Sequence, residues 1–303
     1  MPQTIAARTD KNALYLVDSS IYIFRAWHTF GPVNDADGKP ANAVHGFIDF
    51  LYQLISRRQP KLIACAFDES HGQSLRHKIY PAYKANRPPA PPDLKHQFDL
   101  CQQFVKSCGI AALASPDIEA DDIIGCLVGQ AQTHDISSVI ISADKDLCQF
   151  VGRNDAAWNY ARDTWLDERS IEKRFGVRPG QIPDLLALTG DKVDNIPGVP
   201  GIGVTTAAKL LIKWGNLDVL FANVHKVATM KFRGARHVST LLQEHRDTVL
   251  LARKLTGLLT LPDFSIDVTT LSINPDCAKF EKVSQQIGLS NSRQSQWQTL
   301  LGC

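Results

Sequence analysis

The chain has 303 residues, of which 44% are hydrophobic and 21% charged, as in a soluble globular protein of one large or two modest domains. No apolar run approaches the ~20 residues that a membrane-spanning helix needs, and residues 1–13 lack the apolar stretch of a secretory signal. The seven cysteines are an odd number and include no CxxC pair, which favours reduced thiols. We therefore expect a cytoplasmic protein without a membrane partner.

The net charge of +2 conceals two oppositely charged stretches. Residues 117–146 hold seven acids and one base, whereas residues 201–260 hold nine Lys and Arg and three acids. An acidic segment that holds metal ions beside a basic segment that holds phosphates is what a phosphodiester enzyme requires. The basic stretch alone is equally consistent with a solvated helix face.

The first part of the chain predicts an α/β fold. Residues 13–17 and 61–67 are apolar strand candidates, and residues 43–57 between them carry apolar residues at helical spacing. Strand, helix and strand in this order indicate a parallel sheet. Helices are also predicted at 94–108 and 119–130, and strands at 110–113 and 138–142.

The later part of the chain predicts mostly helices. They fall near residues 182–188, 216–224, 238–257 and 277–286, with an irregular stretch at 260–275. Residues 69–93 are polar and contain five prolines, which excludes a core element there. We predict a core at 1–180 and a helical region at 181–303 that form one body.

Nine carboxylates form the most informative pattern, and three of them directly follow predicted strands. Carboxylates at the carboxyl ends of parallel strands converge on one crevice. So many negative charges would repel one another unless cations lay among them, and oxygen ligands suit Mg²⁺ or Mn²⁺. The nine are Asp18, Asp68, Glu119, Asp121, Asp122, Asp144, Asp146, Asp191 and Asp194.

Each piece of this pattern also has a purely structural interpretation. The acids of EADD at 119–122 lie in the first turn of a helix, where they could form a cap or a ligand set. Asp144 and Asp146 could belong to a β-turn, and Asp191 and Asp194 lie three apart before a glycine-rich turn. It is the whole order of motifs that favours a metal centre.

The chain resembles the 5′ nucleases, a family that includes bacteriophage flap endonucleases, the 5′-nuclease domain of bacterial DNA polymerase I and the eukaryotic flap endonucleases. The resemblance covers residues 13–255 and includes all nine acidic positions. It implies a PIN-like, mostly parallel central sheet flanked by helices in residues 1–180, with an arch at 70–95. A C-terminal helix-hairpin-helix DNA-binding region would follow at 181–303. The sharpest matches are LVDSS at 16–20, FDES at 67–70, YPAYKANR at 80–87, EADD at 119–122, ADKDL at 143–147 and TGDKVDNIPGVPGIG at 189–203.

The resemblance implies two or more Mg²⁺ ions, with Mn²⁺ as a substitute. It also implies two-metal hydrolysis, in which bound ions activate the attacking water and stabilise the leaving 3′ oxygen. Whether Asp122 joins the first site, and whether Asp121 serves both, stays open. The first site would use Asp18, Asp68, Glu119 and Asp121, and the second Asp144, Asp146, Asp191 and Asp194.

The basic stretch 74–95 resembles the family's arch or its base, although its prolines also fit a disordered surface loop. Lys84 and Arg87 would face the scissile phosphate and neutralise the charge that develops there. Tyrosines could stack on a frayed base whatever its identity. The other implied DNA contacts here are Arg76, Lys78, Tyr80 and Tyr83.

The GVPGIG turn at 198–203 resembles a helix-hairpin-helix turn, whose backbone N–H groups bind a phosphate. The resemblance implies a K⁺ ion on the carbonyls of Val199 and Ile202. Thr205 stands where the family often has Lys, so phosphate affinity is weaker there or is supplied by Lys209 or Lys213. The implied DNA contacts are Gly198, Gly201, Gly203, Thr205 and Lys209.

The resemblance implies a structure-specific 5′ nuclease that cuts DNA at 5′ flaps and 5′ ends and leaves 5′-phosphate and 3′-hydroxyl ends. Its setting would be replication and repair, as a monomer acting on branched or flapped DNA, including RNA primer–DNA junctions, with a functional link to a DNA polymerase. Two alternatives stay open. A DNA-junction binding protein with little catalysis would not need nine carboxylates, and a PIN-like ribonuclease would lack the GVPGIG turn.

Overall fold

A six-stranded sheet lies at the centre of the computed structural model, which describes residues 10, 12–69, 74–259 and 266–303. Its order is β3-β2-β1-β4-β5-β6, with every neighbouring pair parallel except β5 and β6. The order reverses between β1 and β4, the point where an open α/β sheet places its ligand crevice. The strands are β1 (Leu14–Asp18), β2 (Leu62–Asp68), β3 (Ala111–Ser115), β4 (Ser138–Ile141), β5 (Ala156–Asn159) and β6 (Thr164–Leu166).

Strand β1 is buried along its whole length because both faces of the sheet are covered. Leu14 and Leu16 pack into the core on one face, whereas Tyr15 and Val17 pack into the core on the other. A strand buried on both faces carries a continuous apolar run rather than an alternating one, and this explains the LYLV sequence.

Helices α1 to α6 belong to the same region as the sheet and cover its two faces. The mostly parallel α/β core predicted from the sequence is confirmed. Strands β5 and β6 and helix α6 were not predicted, because segments of three to eight residues with mixed polarity give no readable period. The helices are α1 (Ser19–Thr29), α2 (Asn42–Arg58), α3 (Leu75–Ile79), α4 (Pro92–Ser107), α5 (Ala120–Thr133) and α6 (Glu168–Phe175).

The second half of the described chain is mostly helical, as predicted. Helix α7 packs against α12, and Thr256 donates a hydrogen bond from its hydroxyl to the Pro183 carbonyl over 2.9 Å. Nearby, Arg253 Nε donates to Asp184 Oδ1 over 2.5 Å. The helices are α7 (Ile182–Thr189), α8 (Val204–Trp214), α9 (Leu217–Ala222), α10 (Val224–Val227), α11 (Ala235–Glu244) and α12 (Arg246–Thr256).

The chain then returns to the first region. The Ile63 N–H donates to the Leu271 carbonyl over 2.8 Å, and helices α13 (Cys277–Ile287) and α14 (Asn291–Leu301) pack beside α4. Trp297 of α14 is fully buried, with its ring centroid 5.0 Å from that of Phe104. The boundary at residue 180 stays a prediction, but α13 and α14 belong to the core by packing. Helix α14 was missed because its sequence, NSRQSQWQTLL, is polar except at one anchor and its end.

Two cysteines correct the expectation of seven reduced thiols. Cys277 and Cys303 form a disulfide with a Cα–Cα distance of 5.4 Å. Helices α13 and α14 bring these positions together, a contact that their spacing of 26 residues does not reveal. The other five cysteines are free. Among the described residues, no helix combines the length and apolarity needed to cross a bilayer.

Candidate functional site

The carboxyl ends of β1 and β4 bring Asp18 and Asp144 together. Ser142 lies between them: its hydroxyl donates to Asp18 Oδ2 over 2.7 Å and accepts the Asp144 N–H over 2.9 Å. Because β1 and β4 are neighbours at the reversal of strand order, these side chains face one crevice. Asp18 is buried and Asp144 partly exposed.

Asp68, at the end of β2, connects that strand to the start of α5. Its Oδ1 accepts the Ala120 N–H over 2.9 Å, and its own N–H donates to the Ser20 hydroxyl over 3.1 Å. At the same helix end Glu119 and Asp122 form a reciprocal capping box. The cap interpretation of EADD is therefore correct for these two acids, and the cap also fixes Glu119 beside Asp68.

Asp122 is part of a buried ion pair, which contradicts two expectations. Arg76 donates to Asp122 Oδ1 over 2.8 Å and to Oδ2 over 2.5 Å, and the Leu259 N–H donates to Oδ1 over 2.8 Å. The Arg76 side chain also donates to the carbonyls of Leu255 and Gly257. Because Arg76 is only 5% exposed and its donors are engaged, the predicted phosphate contact is wrong. Both Asp122 oxygens accept hydrogen bonds from Arg76, so we expect this carboxylate to hold Arg76 rather than a metal ion.

The YKANR segment lies on the acidic centre. Lys84 Nζ lies 2.9 Å from Glu119 Oε1, and Arg87 forms an ion pair with Asp194. The Tyr83 hydroxyl lies 2.9 Å from Glu119 Oε2 and 3.2 Å from Asp194 Oδ2. Tyr83 is 2% exposed, so the predicted stacking of its ring on a DNA base is wrong.

A second ammonium group, Lys145, joins the remaining acids. Its Nζ lies 2.5 Å from Asp191 Oδ2 and 3.3 Å from Asp146 Oδ1. That Asp146 oxygen is buried and accepts no well-formed hydrogen bond from any described residue. Sequence reasoning gave Lys145 no role, although it is the single base within the acidic segment 117–146.

Burial, and after it repulsion from neighbouring carboxylates, raises the pKa of three acids of the centre. Burial, together with the negative charges of Asp68 and Asp144, raises the pKa of Asp18 to about 7. Burial and Asp144 likewise raise the pKa of Asp146 to about 7, against the opposing effect of Lys145. Burial, Asp144 and Asp18 hold the pKa of Asp121 well above its usual range. Without added cations the centre therefore retains protons near neutral pH.

The Lys84–Glu119 pair stays charged. Burial alone would lower the pKa of Lys84, but Glu119 and Asp194 raise it above its ordinary value. Burial would raise the pKa of Glu119, but Lys84 and Arg76 hold it below its ordinary value. The two lysine ammonium groups thus lie among the carboxylates, where cations are expected.

The donor set fits a hard divalent ion such as Mg²⁺. A cavity of about 20 Å³ opens among the carboxylates, which is room for one water molecule or ion. In the described chain no three acid, histidine or cysteine side chains are already gathered at ligating distance. Lys84 and Lys145 form ion pairs with two of the predicted ligands, Glu119 and Asp191. The acids that line the small cavity are Glu119, Asp121, Asp122, Asp146 and Asp194.

The turn between α7 and α8 has the predicted helix-hairpin-helix form. A Cβ at Gly198 would lie 2.2 Å from the Gly190 nitrogen, so packing inside the turn requires glycine there. Gly201 has a φ of +85°, a conformation that favours glycine. Gly203 caps α8 with open space around it, so it leaves room for close approach of a ligand. DNA contacts at these three glycines stay predictions.

The other predicted contacts in this region lie on the surface or in the turn. Thr205 and Lys209 are exposed and one helical turn apart on α8. The side chains of Val199 and Ile202 are buried, and the Ile202 N–H donates to the Val199 carbonyl over 3.0 Å. The K⁺ site on their carbonyls stays a prediction.

The remaining arch contacts also stay predictions. Lys78 is exposed and lies 3.3 Å from Asp117 at the surface. Tyr80 is half-buried against the core, with part of its ring accessible. Residues 70–73 of the predicted arch lie outside the described residues.

Comparison with known proteins places this chain in a family. Residues 13–176 match the 5′-3′ exonuclease N-terminal resolvase-like domain, and residues 177–279 match the 5′-3′ exonuclease C-terminal SAM fold. The 5′-3′ exonuclease of Aquifex aeolicus is 34% identical over 279 residues, covering 92% of this chain and 93% of that protein. DNA polymerase I of Pseudomonas aeruginosa is 38% identical over 259 residues, 85% of this chain. The match spans only 28% of that polymerase.

The fold comparison agrees with the sequence comparison. The flap endonuclease of bacteriophage T5, in a complex with DNA and metal ions, superposes with a TM-score of 0.65 at 17% identity, covering 96% of this chain and 100% of the phage chain. At that identity the likeness concerns the fold, and it confirms the PIN-like sheet followed by a helical region. The predicted enzyme class, a metal-dependent nuclease, is confirmed by the family matches. The chain belongs to the 5′-3′ exonuclease family.

Proposed function

We propose that this protein is a structure-specific 5′ nuclease that hydrolyses DNA at 5′ flaps and 5′ ends and leaves 5′-phosphate and 3′-hydroxyl ends. The observation that carries the proposal is the group of acids that meet around Lys84 and Lys145 at the sheet crevice. Eight of the nine predicted acids belong to it, and the ninth, Asp122, is paired with the buried Arg76. The phage relative in complex with DNA and metal ions supports the substrate class.

The acids form two groups suited to Mg²⁺, with Mn²⁺ as a substitute. When bound, such ions supply an activated water and positive charge at the leaving oxygen. The protein's part is to hold the carboxylates: Ser142 orients Asp18, the Ala120 N–H orients Asp68, and Tyr83 orients Glu119. The groups are Asp18, Asp68, Glu119 and Asp121, and Asp144, Asp146, Asp191 and Asp194.

Lys84 and Arg87 would contact the phosphate that is cut. Each now forms an ion pair with an acid of the centre, Glu119 and Asp194 respectively. A phosphate that enters with cations would compete for the same donors, so each side chain can exchange its carboxylate for a phosphate oxygen. The two residues then neutralise charge that develops on the phosphate.

The duplex beside the cut would be held by the turn and helix α8. Gly201, Gly203, Thr205 and Lys209 present backbone and side-chain donors there, and a K⁺ ion on the turn carbonyls would add charge. We further propose RNA primer–DNA junctions as substrates, a role in replication and repair with a polymerase, and a cytoplasmic monomer. The polymerase link rests on the similarity to one part of DNA polymerase I.

The test is cleavage of a 5′-labelled flap duplex in Mg²⁺, in EDTA and by the Asp68→Ala variant. An exposed acid on α4 provides the matched control, Asp99→Ala. We expect cutting at the junction by the wild type and the control, none in EDTA, and none by Asp68→Ala. Religation of the product would check for the 5′ phosphate.

Two outcomes would overturn the proposal. Binding of the flap without cutting in Mg²⁺ or Mn²⁺ would indicate a junction-binding protein. Faster cutting of single-stranded RNA than of flapped DNA would indicate a PIN-like ribonuclease.

A further inference from the structure

A second, larger cavity of about 260 Å³ opens beside the acidic centre, on the β5–β6 side of the sheet. Asp144 and Ser142, which belong to the centre, form one wall of it. Its other walls come from α1, from the β5–β6 turn and from α6. We call this cavity the arginine pocket, because Arg25, Arg162 and Arg174 line it together with Lys145.

The charge of the arginine pocket is strongly positive. Four cationic side chains face one lining carboxylate, that of Asp144. Lys145 is neutralised by Asp191 and Asp146. Within the described part of the chain, no carboxylate lies within ion-pair distance of Arg25, Arg162 or Arg174. Three guanidinium groups that share a cavity, with no described carboxylate at ion-pair distance from any of them, attract an anion.

The fold, not the local sequence, assembles these arginines. Arg25 lies on α1, which follows directly from Asp18 at the end of β1. Arg162 ends the turn between β5 and β6, and Arg174 lies in the last turn of α6. The exposed side chains of Arg25 and Arg162 lie at one sheet edge because β1 and β5 both run parallel to β4, so that their carboxyl ends are on the same side. Arg174 reaches this edge from α6, which follows β6.

The size and lining of the pocket indicate what it holds. Its volume lies below the ~300–1,000 Å³ of sites for drug-sized ligands, so it accepts a phosphate with its sugar rather than a larger molecule. Arginine's planar fork of donors matches the oxygens of a phosphate. Ala157, Leu166 and Phe175 add apolar lining on which a sugar can pack.

We propose that the arginine pocket binds a phosphate of the DNA strand being cut, next to the scissile one. The inference rests on the proposed function, since it needs a DNA strand across the acidic centre. Continuity supplies the assignment: Asp144 and Ser142 form part of both sites, so a strand that leaves the centre toward β5 enters the pocket. Lys84 and Arg87 flank the centre on its Glu119 and Asp194 side, and the pocket flanks it on the Asp144 side.

The test combines neutral phosphates with pocket variants. Each phosphate of a flap duplex, on both strands, is replaced in turn by an uncharged methylphosphonate, and binding is measured in EDTA, where no cutting is expected. The proteins are the wild type, the Arg162→Gln/Arg174→Gln variant and Arg153→Gln. Arg153 is an exposed arginine before β5, at the opposite sheet edge, and serves as the matched control.

We expect one methylphosphonate, next to the cut on the cleaved strand, to weaken wild-type binding about tenfold, as for loss of one charge-assisted contact. The double variant should bind unmodified DNA about tenfold more weakly than the wild type does. That methylphosphonate should not weaken the binding of the double variant any further. Its slope of log affinity against log salt should be smaller by roughly 1, and Arg153→Gln should behave like the wild type.

The proposal would be overturned if the double variant and the methylphosphonate weakened binding additively at every position. It would also be overturned if the effect of the double variant depended only on methylphosphonates in the uncut strand. Binding of free deoxynucleoside monophosphate that depends on Arg162 and Arg174, while DNA affinity does not, would overturn it as well. Failure of the proposed function is separate, because it would appear as intact wild-type binding without cleavage in Mg²⁺.

Discussion

Glu119 and Asp194, which lie 75 positions apart in the chain, share one hydroxyl group. Tyr83 Oη lies 2.9 Å from Glu119 Oε2 and 3.2 Å from Asp194 Oδ2. A hydroxyl has one proton, so it can donate to only one of the two carboxylates at a time. Lys84 and Arg87 supply the charge that keeps both acids in place. The proposed phosphate-binding segment therefore also sets the spacing between acids of the two proposed metal groups.

Removing this hydroxyl should change metal dependence more than stability. Tyr83→Phe keeps the buried ring and removes one donor, so we expect a loss of about 1–2 kcal/mol in unfolding free energy. We expect a roughly tenfold fall in kcat and a higher Mg²⁺ concentration for half-maximal activity, as for loss of an outer partner of metal ligands. Flap cleavage over a range of Mg²⁺ concentrations measures both. An unchanged Mg²⁺ requirement would show that Tyr83 only packs.

Asp122 should prove a stability residue rather than a metal ligand. Asp122→Asn leaves Arg76 charged in the interior, and breaking a buried pair in this way costs about 3–5 kcal/mol. Urea unfolding measures that loss. The surface pair of Lys78 and Asp117 gives the matched control, since Asp117→Asn should cost under ~1 kcal/mol.

The same variant separates the two roles. At a temperature where Asp122→Asn remains folded, its Mg²⁺ requirement should equal that of the wild type. If Asp122→Asn instead raised the Mg²⁺ requirement strongly and destabilised the fold only slightly, Asp122 would be a metal ligand.

Alanine substitution at two glycines of the GVPGIG turn should change stability to very different extents. A Cβ at Gly198 would meet the Gly190 and Thr189 backbone at 2.2 Å, and backbone cannot move aside cheaply. We expect Gly198→Ala to lower the free energy of unfolding by several kcal/mol, or about 1–3 kcal/mol if the turn shifts. Gly203→Ala meets open space at a φ of −92° and should leave stability within about 1 kcal/mol. If Gly203 approaches a phosphate, only Gly203→Ala should weaken DNA binding while the fold is intact.

The sequence was sufficient to predict the acidic centre because three of its acids follow strand ends and the order of the other acidic motifs resembles that of the family. An apolar run followed by Asp, as at Asp18, Asp68 and Asp144, predicts both a strand and the sheet edge at which the acid lies. The sheet topology then brings together residues that no local pattern connects.

The same patterns could not say which charged side chains are buried. Arg76 and Lys78 are two residues apart in one basic stretch, yet Arg76 lies in the interior and Lys78 is exposed. Arg76 is buried because Asp122 and two carbonyls at the end of α12, about 46 and 180 residues away in sequence, accept its hydrogen bonds. The arginines of the pocket were not predicted for the same reason, since they lie on three different segments that no local pattern connects.

The raised pKa values of Asp18 and Asp146 predict a specific pH dependence. Both acids have a pKa of about 7 in the fold against 3.8 unfolded, so the folded state binds more protons than the unfolded state between those values. Stability of the metal-free protein should therefore be highest at low pH within this window and fall as pH rises toward 7. The pKa of Glu119 is lowered from its ordinary value of 4.5, so this acid affects stability only at the acid end of the window. Half-buried His45, whose pKa is lowered by its partial burial, acts in the opposite direction, so the wild type must be compared with a variant of one acid.

Thermal unfolding in EDTA from pH 5 to 8 should show this fall, and Asp146→Asn should show a smaller one, since it removes one of the acids whose pKa is raised. In Mg²⁺ the slope should reverse, because a metal ion binds deprotonated carboxylates and its affinity rises as their protons leave. The difference in midpoint between Mg²⁺ and EDTA should thus widen from pH 5 to 8. Equal pH profiles for the wild type and Asp146→Asn in EDTA would mean that the acids do not repel in the folded state. A difference that stays constant across the range would mean that the ion binds elsewhere than at Asp18 and Asp146.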